Sequence, residues 1–304
     1  MSVTADRRAA ARSAFPDWRF APNIGGHPDV YEIENHALDP DGHVLAAMRR
    51  LAPWNGRRLL DLGCGTGFWL AGYARDADRV IGVEPDPVLR ERAAARIRAV
   101  PGAEVMPGSA EHLPLPDRDV DVVHARFAYF LAPGASAGAD AGLAEIMRVL
   151  TPGGSLIVVE NDYRWGQFAG ILAAGSAKPP GEIATAVDAW WRQRGATRHE
   201  VRTHWRFASR ADLAAVLRIE VPAAAARAWL TRNPWATSLS CGYVLYAVSP
   251  SDHASAAPLR LARTVSPRSP AGRLEAPSSL VPRSQAPSLL SPDAAAPLRL
   301  ARTV

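Results

Sequence analysis

Residues 59 to 67 read Leu-Leu-Asp-Leu-Gly-Cys-Gly-Thr-Gly, and no other stretch limits the fold of this chain as strongly. A short apolar run suits a strand buried in a sheet, and a helical stretch opens at Phe68. Between them, Gly63, Gly65 and Gly67 let the chain turn sharply and let a ligand approach backbone that a Cβ would screen. The helix start offers free N–H groups to that ligand. A dinucleotide fingerprint needs Gly or Ala at the sixth position of G-x-G-x-x-G, where Phe68 stands. The bulky ring argues against a bound pyrophosphate. Glu84 closes the next apolar run, in Val-Ile-Gly-Val-Glu-Pro-Asp. A carboxylate there can accept hydrogen bonds from both hydroxyls of a ribose.

The rest of the chain extends the pattern. Strands are expected at Leu59–Leu62, Val80–Val83, Glu104–Met106, Val120–Val123 and Leu156–Val159, several of them continuous apolar runs of the kind buried on both faces of a parallel sheet. Helices are expected at Phe68–Ala74, Val88–Val100 and Ala141–Leu150, with Pro152-Gly153-Gly154 turning into the fifth strand. Two further strands follow an insertion. One is marked by the alternation of His199, Val201, Thr203, Trp205 and Phe207, and the other is Gly242–Val248. Ser209 to Asp212 resembles a helix start. Upstream, residues 1–52 form a helical or lid segment: a short helix, an irregular stretch rich in Pro and Gly, then an amphipathic helix over Asp41–Leu51.

Composition sets boundaries. The formal charge of +5 is concentrated beyond Ser249, where Arg260, Arg263, Arg268, Arg273, Arg283, Arg299 and Arg302 face only Asp252, Glu275 and Asp293. The body is therefore near neutral, which argues against nucleic acid as a partner. Residues 250–304 are Pro-rich and lack Phe, Tyr and Trp, so disorder is expected there. Ala-Ala-Pro-Leu-Arg-Leu-Ala-Arg-Thr-Val occurs twice, at 256–265 and 295–304, and Leu280 to Ser284 looks like a partial thrombin-type cleavage sequence. Cys64 and Cys241 suit neither a disulfide framework nor a zinc motif, and no metal site is expected. No signal core or membrane-spanning run is evident, so a cytoplasmic protein is expected.

Three more motifs follow the glycine loop in order: Gly108-Ser-Ala-Glu-His-Leu-Pro-Leu-Pro116, Asp119-Val-Asp-Val-Val123 and Arg148-Val-Leu-x-Pro-Gly-Gly154. With them, residues 55–160 resemble the class I S-adenosylmethionine-dependent methyltransferases, especially the bacterial type 11 group that includes ubiquinone-biosynthesis methyltransferases. The resemblance implies an α/β, Rossmann-like, doubly wound seven-stranded sheet, mostly parallel with an antiparallel last strand. The methyltransferase domain would run over 53–249, with a substrate cap at 161–197 and a contribution from 16–40.

The implied cofactor is S-adenosylmethionine. Asp61, Gly63, Gly65 and Gly67, with Cys64 in the same loop, would surround its methionine part. Glu84, next to Pro85, would hold the ribose, and Ser109, Ala110 and Glu111 would contact adenine. Ala125 and Arg126, at the end of the fourth strand, complete the set. His124 or Asp162 could accept the substrate proton, with a merely packed His124 the competing reading. Asn161 and Tyr163 could line a pocket, and Phe127, Tyr129, Phe130, Trp165 and Phe168 could floor it or belong to the core. The implied reaction is methyl transfer to an oxygen, nitrogen or carbon of a small molecule. An RNA or protein methyltransferase and a catalytically silent binding module are the alternatives, and oligomeric state stays open.

Overall fold

The computed structural model describes residues 3–130, 139–176 and 179–249. The expected disorder of 250–304, the duplicated decapeptide and the cleavage-like sequence lie outside the described residues. In chain order the elements are α1 (Val3–Ala14), α2 (Pro22–Gly26), α3 (Pro28–Ala37), α4 (His43–Leu51), β1 (Arg58–Leu62), α5 (Leu70–Tyr73), β2 (Arg79–Val83), α6 (Pro87–Ile97), β3 (Ala103–Met106) and β4 (Val120–Arg126). They continue with α7 (Ala139–Val149), β5 (Leu150–Asn161), α8 (Gly166–Gly175), α9 (Pro180–Arg192), β6 (Thr197–Arg206), α10 (Arg210–Glu220), α11 (Ala223–Arg232) and β7 (Ser238–Val248).

The strands form one seven-stranded sheet in the order β3-β2-β1-β4-β5-β7-β6. β1 to β5 pair parallel, and β7 runs antiparallel to both β5 and β6. The continuous apolar runs are explained by cores on both faces. Leu59, Val80, Val122, Ile157 and Val159 point into one core, under α4, α6, α8, α10 and α11. Their sequence neighbours Leu60, Ile81, Val123, Leu156 and Val158 point into the other, under α7 and α9. Successive side chains of a strand alternate between faces, so each strand feeds both cores.

Two expectations need correction. α5 is a single turn, because the glycine loop occupies the residues before Leu70. Among the described residues of 161–197, the large side chains of α8 and α9 lie against the two faces of the sheet rather than over its carboxyl edge. Phe168 and Ile171 of α8 enter the first core beside Trp205, whereas Val187, Trp190 and Trp191 of α9 enter the second. Trp191 stacks on Tyr246 at 5.4 Å. Large rings gain more by burial against a sheet than by lining a wet cleft, so these aromatics cover the two faces.

The N-terminal helices lie over that edge. Arg8 pairs with Asp86 at 2.9 Å and donates to the Gly25 carbonyl at 2.8 Å. Arg7–Glu91, Asp29–Arg92 and Glu32–Arg96 add ion pairs along α6, and Thr66 of the glycine loop donates to Glu32. Among the described residues no helix is long and apolar enough to cross a membrane.

Candidate cofactor and substrate cleft

A cleft opens at the carboxyl ends of β1, β2 and β4, where open α/β sheets bind ligands. It encompasses about 780 Å³, part of it open to solvent, between Asp61, Gly63, Cys64, Gly65, Glu84, Arg126 and Phe127 below and Trp18, Asn23, Ile24, Tyr31 and Asn35 above. A side pocket of about 310 Å³ shares Trp18 and Gly63 with it and is lined by Pro85, Ser109, Ala110 and Glu111.

The glycine loop is built from the strands upward. The N–H groups of Gly63 and Cys64 donate to the Val83 carbonyl at 2.9 and 3.2 Å, which folds the loop over the end of β2. Gly63, Gly65 and Gly67 all adopt positive φ, at 70°, 57° and 73°. Their roles differ. Gly65 lies under the lid, where an added Cβ would sit 2.8 Å from the Ile24 Cδ1. Gly67 does not reach the cleft: its Cβ would meet Ala93 Cβ at 2.9 Å and Cα at 3.0 Å, so it is the residue that lets α6 pack against the loop. Cys64 fills the space above Gly82, and burial pushes its thiol well above the usual range, which keeps it protonated.

Glu84 is buried, and each carboxylate oxygen accepts one backbone N–H: Oε2 from Gly65 at 2.9 Å and Oε1 from Asp86 at 2.8 Å. Each oxygen keeps lone-pair capacity for a further donor. Burial raises Glu84 to about 7, against the pull of those two N–H groups. Burial likewise raises Asp61 to about 7, partly offset by the Arg126 guanidinium. Arg126 lies 3.8 Å over the Trp69 ring and donates to the Tyr73 hydroxyl at 3.2 Å. Its buried Nε has no hydrogen-bond partner among the described residues.

Several sequence-derived site residues lie elsewhere. His124 pairs in register with Asp61 but sits one pleat deeper than Arg126. Its ring is fully buried, edge-on to Trp54 at 5.2 Å and Tyr73 at 5.0 Å, and burial lowers it to about 3. A neutral imidazole sealed in the core cannot reach a substrate proton. Asp162 is buried beside β7: its N–H donates to the Gly242 carbonyl at 2.8 Å and its carboxylate accepts from the Arg164 N–H at 2.9 Å. With Asn161 and Tyr163 it lines a separate 270 Å³ pocket against Ala184, Val187 and Tyr246. Ala125 faces the second core. Of the candidate aromatics, Phe127 lines the cleft, Tyr129 the side pocket, and Phe130 and Phe168 are core. Phe127 and Tyr129 hold positive φ, at 51° and 59°. Bulky residues there carry backbone strain of roughly 1–3 kcal/mol each, a feature that clusters at binding sites.

Neither ring nitrogen of His124 has a hydrogen-bond partner among the described residues. His124→Phe is therefore expected to leave thermal stability unchanged or to raise it by about 1 kcal/mol, because it removes unsatisfied buried polar atoms. Thermal melting checks this; a marked loss would show that the imidazole makes a contact a phenyl ring cannot replace.

The residues present fit the cofactor that the resemblance implies. Glu84 has acceptor capacity for a ribose diol, the side pocket lined by Pro85, Ser109 and Ala110 is mostly apolar, and two buried polar atoms on residues that line the cleft, Asn23 Oδ1 and Arg126 Nε, lack partners among the described residues. Among the described residues no group of His, Cys, Asp or Glu is arranged to hold a metal ion.

The chain is similar to known methyltransferases. The family described as "Methyltransferase domain" matches residues 60–158. The malonyl-[acyl-carrier protein] O-methyltransferase of Serratia marcescens is 30% identical over 195 residues, covering 60% of this chain and 69% of that protein. The ubiquinone/menaquinone biosynthesis C-methyltransferase UbiE of Rubrivivax gelatinosus is 36% identical over 133 residues, 43% of this chain and 51% of that protein. An uncharacterized methyltransferase of Mycobacterium bovis is 36% identical over 139 residues, 46% of this chain and 52% of that protein. The chain thus spans about half the length of most of these relatives.

Proposed function

Because this chain belongs to the class I S-adenosylmethionine-dependent methyltransferases, we propose that it transfers the cofactor's methyl group to a small-molecule acceptor held under the N-terminal helices. The observation that carries the small-molecule reading is the roof itself. Trp18, Asn23, Ile24, Tyr31 and Asn35 close the cleft from above and are tied down through α6. A roofed cleft of this size suits a metabolite better than a folded protein or an RNA duplex.

In this reading Glu84 binds the ribose hydroxyls, while Pro85, Ser109, Ala110 and Glu111 border the adenine. Asp61, Gly63, Cys64, Gly65 and Arg126 lie along the methionine end. When bound, the cofactor supplies an electrophilic methyl on a sulfonium, so the driving force is already present. The chain's work is to bind, orient and exclude water, which can supply much of a rate enhancement without a side-chain base. Phe127, Trp69 and Phe68 form the apolar wall against which an acceptor would be positioned. The test is incubation with methyl-labelled cofactor and a cell metabolite extract, followed by mass spectrometry. A labelled small product supports the proposal; label found only in RNA or protein, or no transfer at all, rejects it.

The carboxylate shifts give a pH dependence. Ribose hydroxyls donate to an ionised Glu84, which in the free protein titrates at about 7. Affinity for S-adenosylhomocysteine should therefore rise between about pH 6 and pH 8 and then level off. Calorimetric titration across that range checks it, and a flat profile would contradict it. Stability of the free protein moves the other way. Glu84 and Asp61 hold protons at about 7 when folded but at 4.5 and 3.8 when unfolded. The folded state then binds more protons between about pH 4 and pH 7, so stability falls as pH rises across that range and is level above it.

A further inference from the structure

Asn23, in α2 of the lid, is 2% exposed, and its Nδ2 donates to Glu220 Oε1 at 2.8 Å. Glu220 ends α10 and is itself 1% exposed. Carboxylate oxygens accept hydrogen bonds, so Glu220 fixes which end of the amide it faces. The amino end turns to Glu220, and the carbonyl end is left over.

That Oδ1 is buried and has no hydrogen-bond partner among the described residues, and Asn23 lines the cleft. A buried acceptor left unpaired is costly, and one on a residue that lines a cleft can be satisfied by a bound ligand. Across the same cleft, the Arg126 Nε is a buried donor in the same condition. One unsatisfied acceptor and one unsatisfied donor, on two residues that line the same cleft, complement a ligand end bearing both an N–H cation and an anionic oxygen.

We propose that Asn23 Oδ1 accepts a hydrogen bond from the α-ammonium of the cofactor's methionine end, and that Glu220 is the positioning residue that presents it. The inference rests on the cofactor reading above. It makes the lid a reader of the cofactor's amino-acid end, reached from α10 across nearly the whole described chain. Arg126 takes the carboxylate of the same ligand end.

The test compares S-adenosylhomocysteine with 5′-methylthioadenosine, which has the nucleoside but no amino-acid end, by calorimetric titration of the full chain. Asn23→Ala should weaken S-adenosylhomocysteine about tenfold or more and leave 5′-methylthioadenosine within about twofold. Retained binding of the second ligand also shows that the variant is folded. Should Asn23→Ala fold poorly, Glu220→Gln carries the test. A Gln can donate as well as accept, so the Asn23 amide is no longer held one way, and a loss of about threefold confined to S-adenosylhomocysteine is expected. Equal weakening of both ligands would assign Asn23 a structural role and overturn the proposal. No weakening of either would also overturn it and assign the acceptor to the methyl-accepting substrate. If the wild-type chain bound neither ligand, the cofactor reading would fail first.

Discussion

Glu84→Ala should cost this protein about a hundredfold or more in affinity for S-adenosylhomocysteine. Hydrogen bonds to an ionised carboxylate are worth roughly 1.5–3 kcal/mol each, and two ribose hydroxyls are proposed to donate to this one. The substitution does more than empty the ribose site. It strips the Gly65 and Asp86 N–H groups of their acceptor, so the glycine loop and the start of α6 lose the group that joins them. A stability loss of roughly 1–3 kcal/mol per stranded N–H accompanies the binding loss. Glu84→Gln separates the two effects. Its single carbonyl oxygen can serve one N–H, while its amino group must face the other donor. Titration calorimetry on variants shown to be folded by circular dichroism decides the matter. Affinity within about threefold of wild type would remove Glu84 from the site.

Within the glycine loop the largest effect on stability is expected at Gly67, not at the glycines facing the cleft. Gly67→Ala places a Cβ about 3 Å from the Ala93 backbone while forcing a left-handed φ of 73° on an alanine. The left-handed conformation costs roughly 1–2 kcal/mol, and overpacking roughly 1–3 kcal/mol. A fall of roughly 5–15 °C in melting temperature follows for a domain of this size. Gly65→Ala has a comparable φ of 57°, but its Cβ meets the far end of the flexible Ile24 side chain. It should therefore melt closer to wild type and lose affinity instead, because it pushes on the lid. If both variants melted alike, the division of labour within the loop would be wrong.

The same division shows how far local sequence can be read. Three alternate glycines announce a turn with left-handed residues, because only glycine adopts that conformation without penalty. Which glycine faces a ligand and which faces a helix depends on where α6 packs, and α6 begins twenty residues later. His124 is a sharper case. Val122, His124 and Arg126 alternate onto one face of β4, so strand parity already places His124 between a core residue and the mouth of the cleft. How deep the core reaches is set by Trp54 and Tyr73, which come from other elements.

The sequence alone determined the sheet, the glycine loop, the acidic end of β2 and the order of the motifs, because strands, turns and helix starts follow from residue type over a few neighbours. Its apolar runs implied burial on both faces, and two cores are present. The sequence offered 161–197, with a contribution from 16–40, as the cover of the cleft, and only the tertiary structure decided their shares. Phe168, Trp190 and Trp191 of the aromatic-rich stretch enter the two cores, and Trp18 to Asn35 supply the roof, held by Arg8, Arg92 and Arg96. The pairing of Asn23 with Glu220 has no local signature at all: 197 residues separate them. Long-range ion pairs and hydrogen bonds depend on where helices dock, and docking is settled by the packing of the whole chain against the sheet.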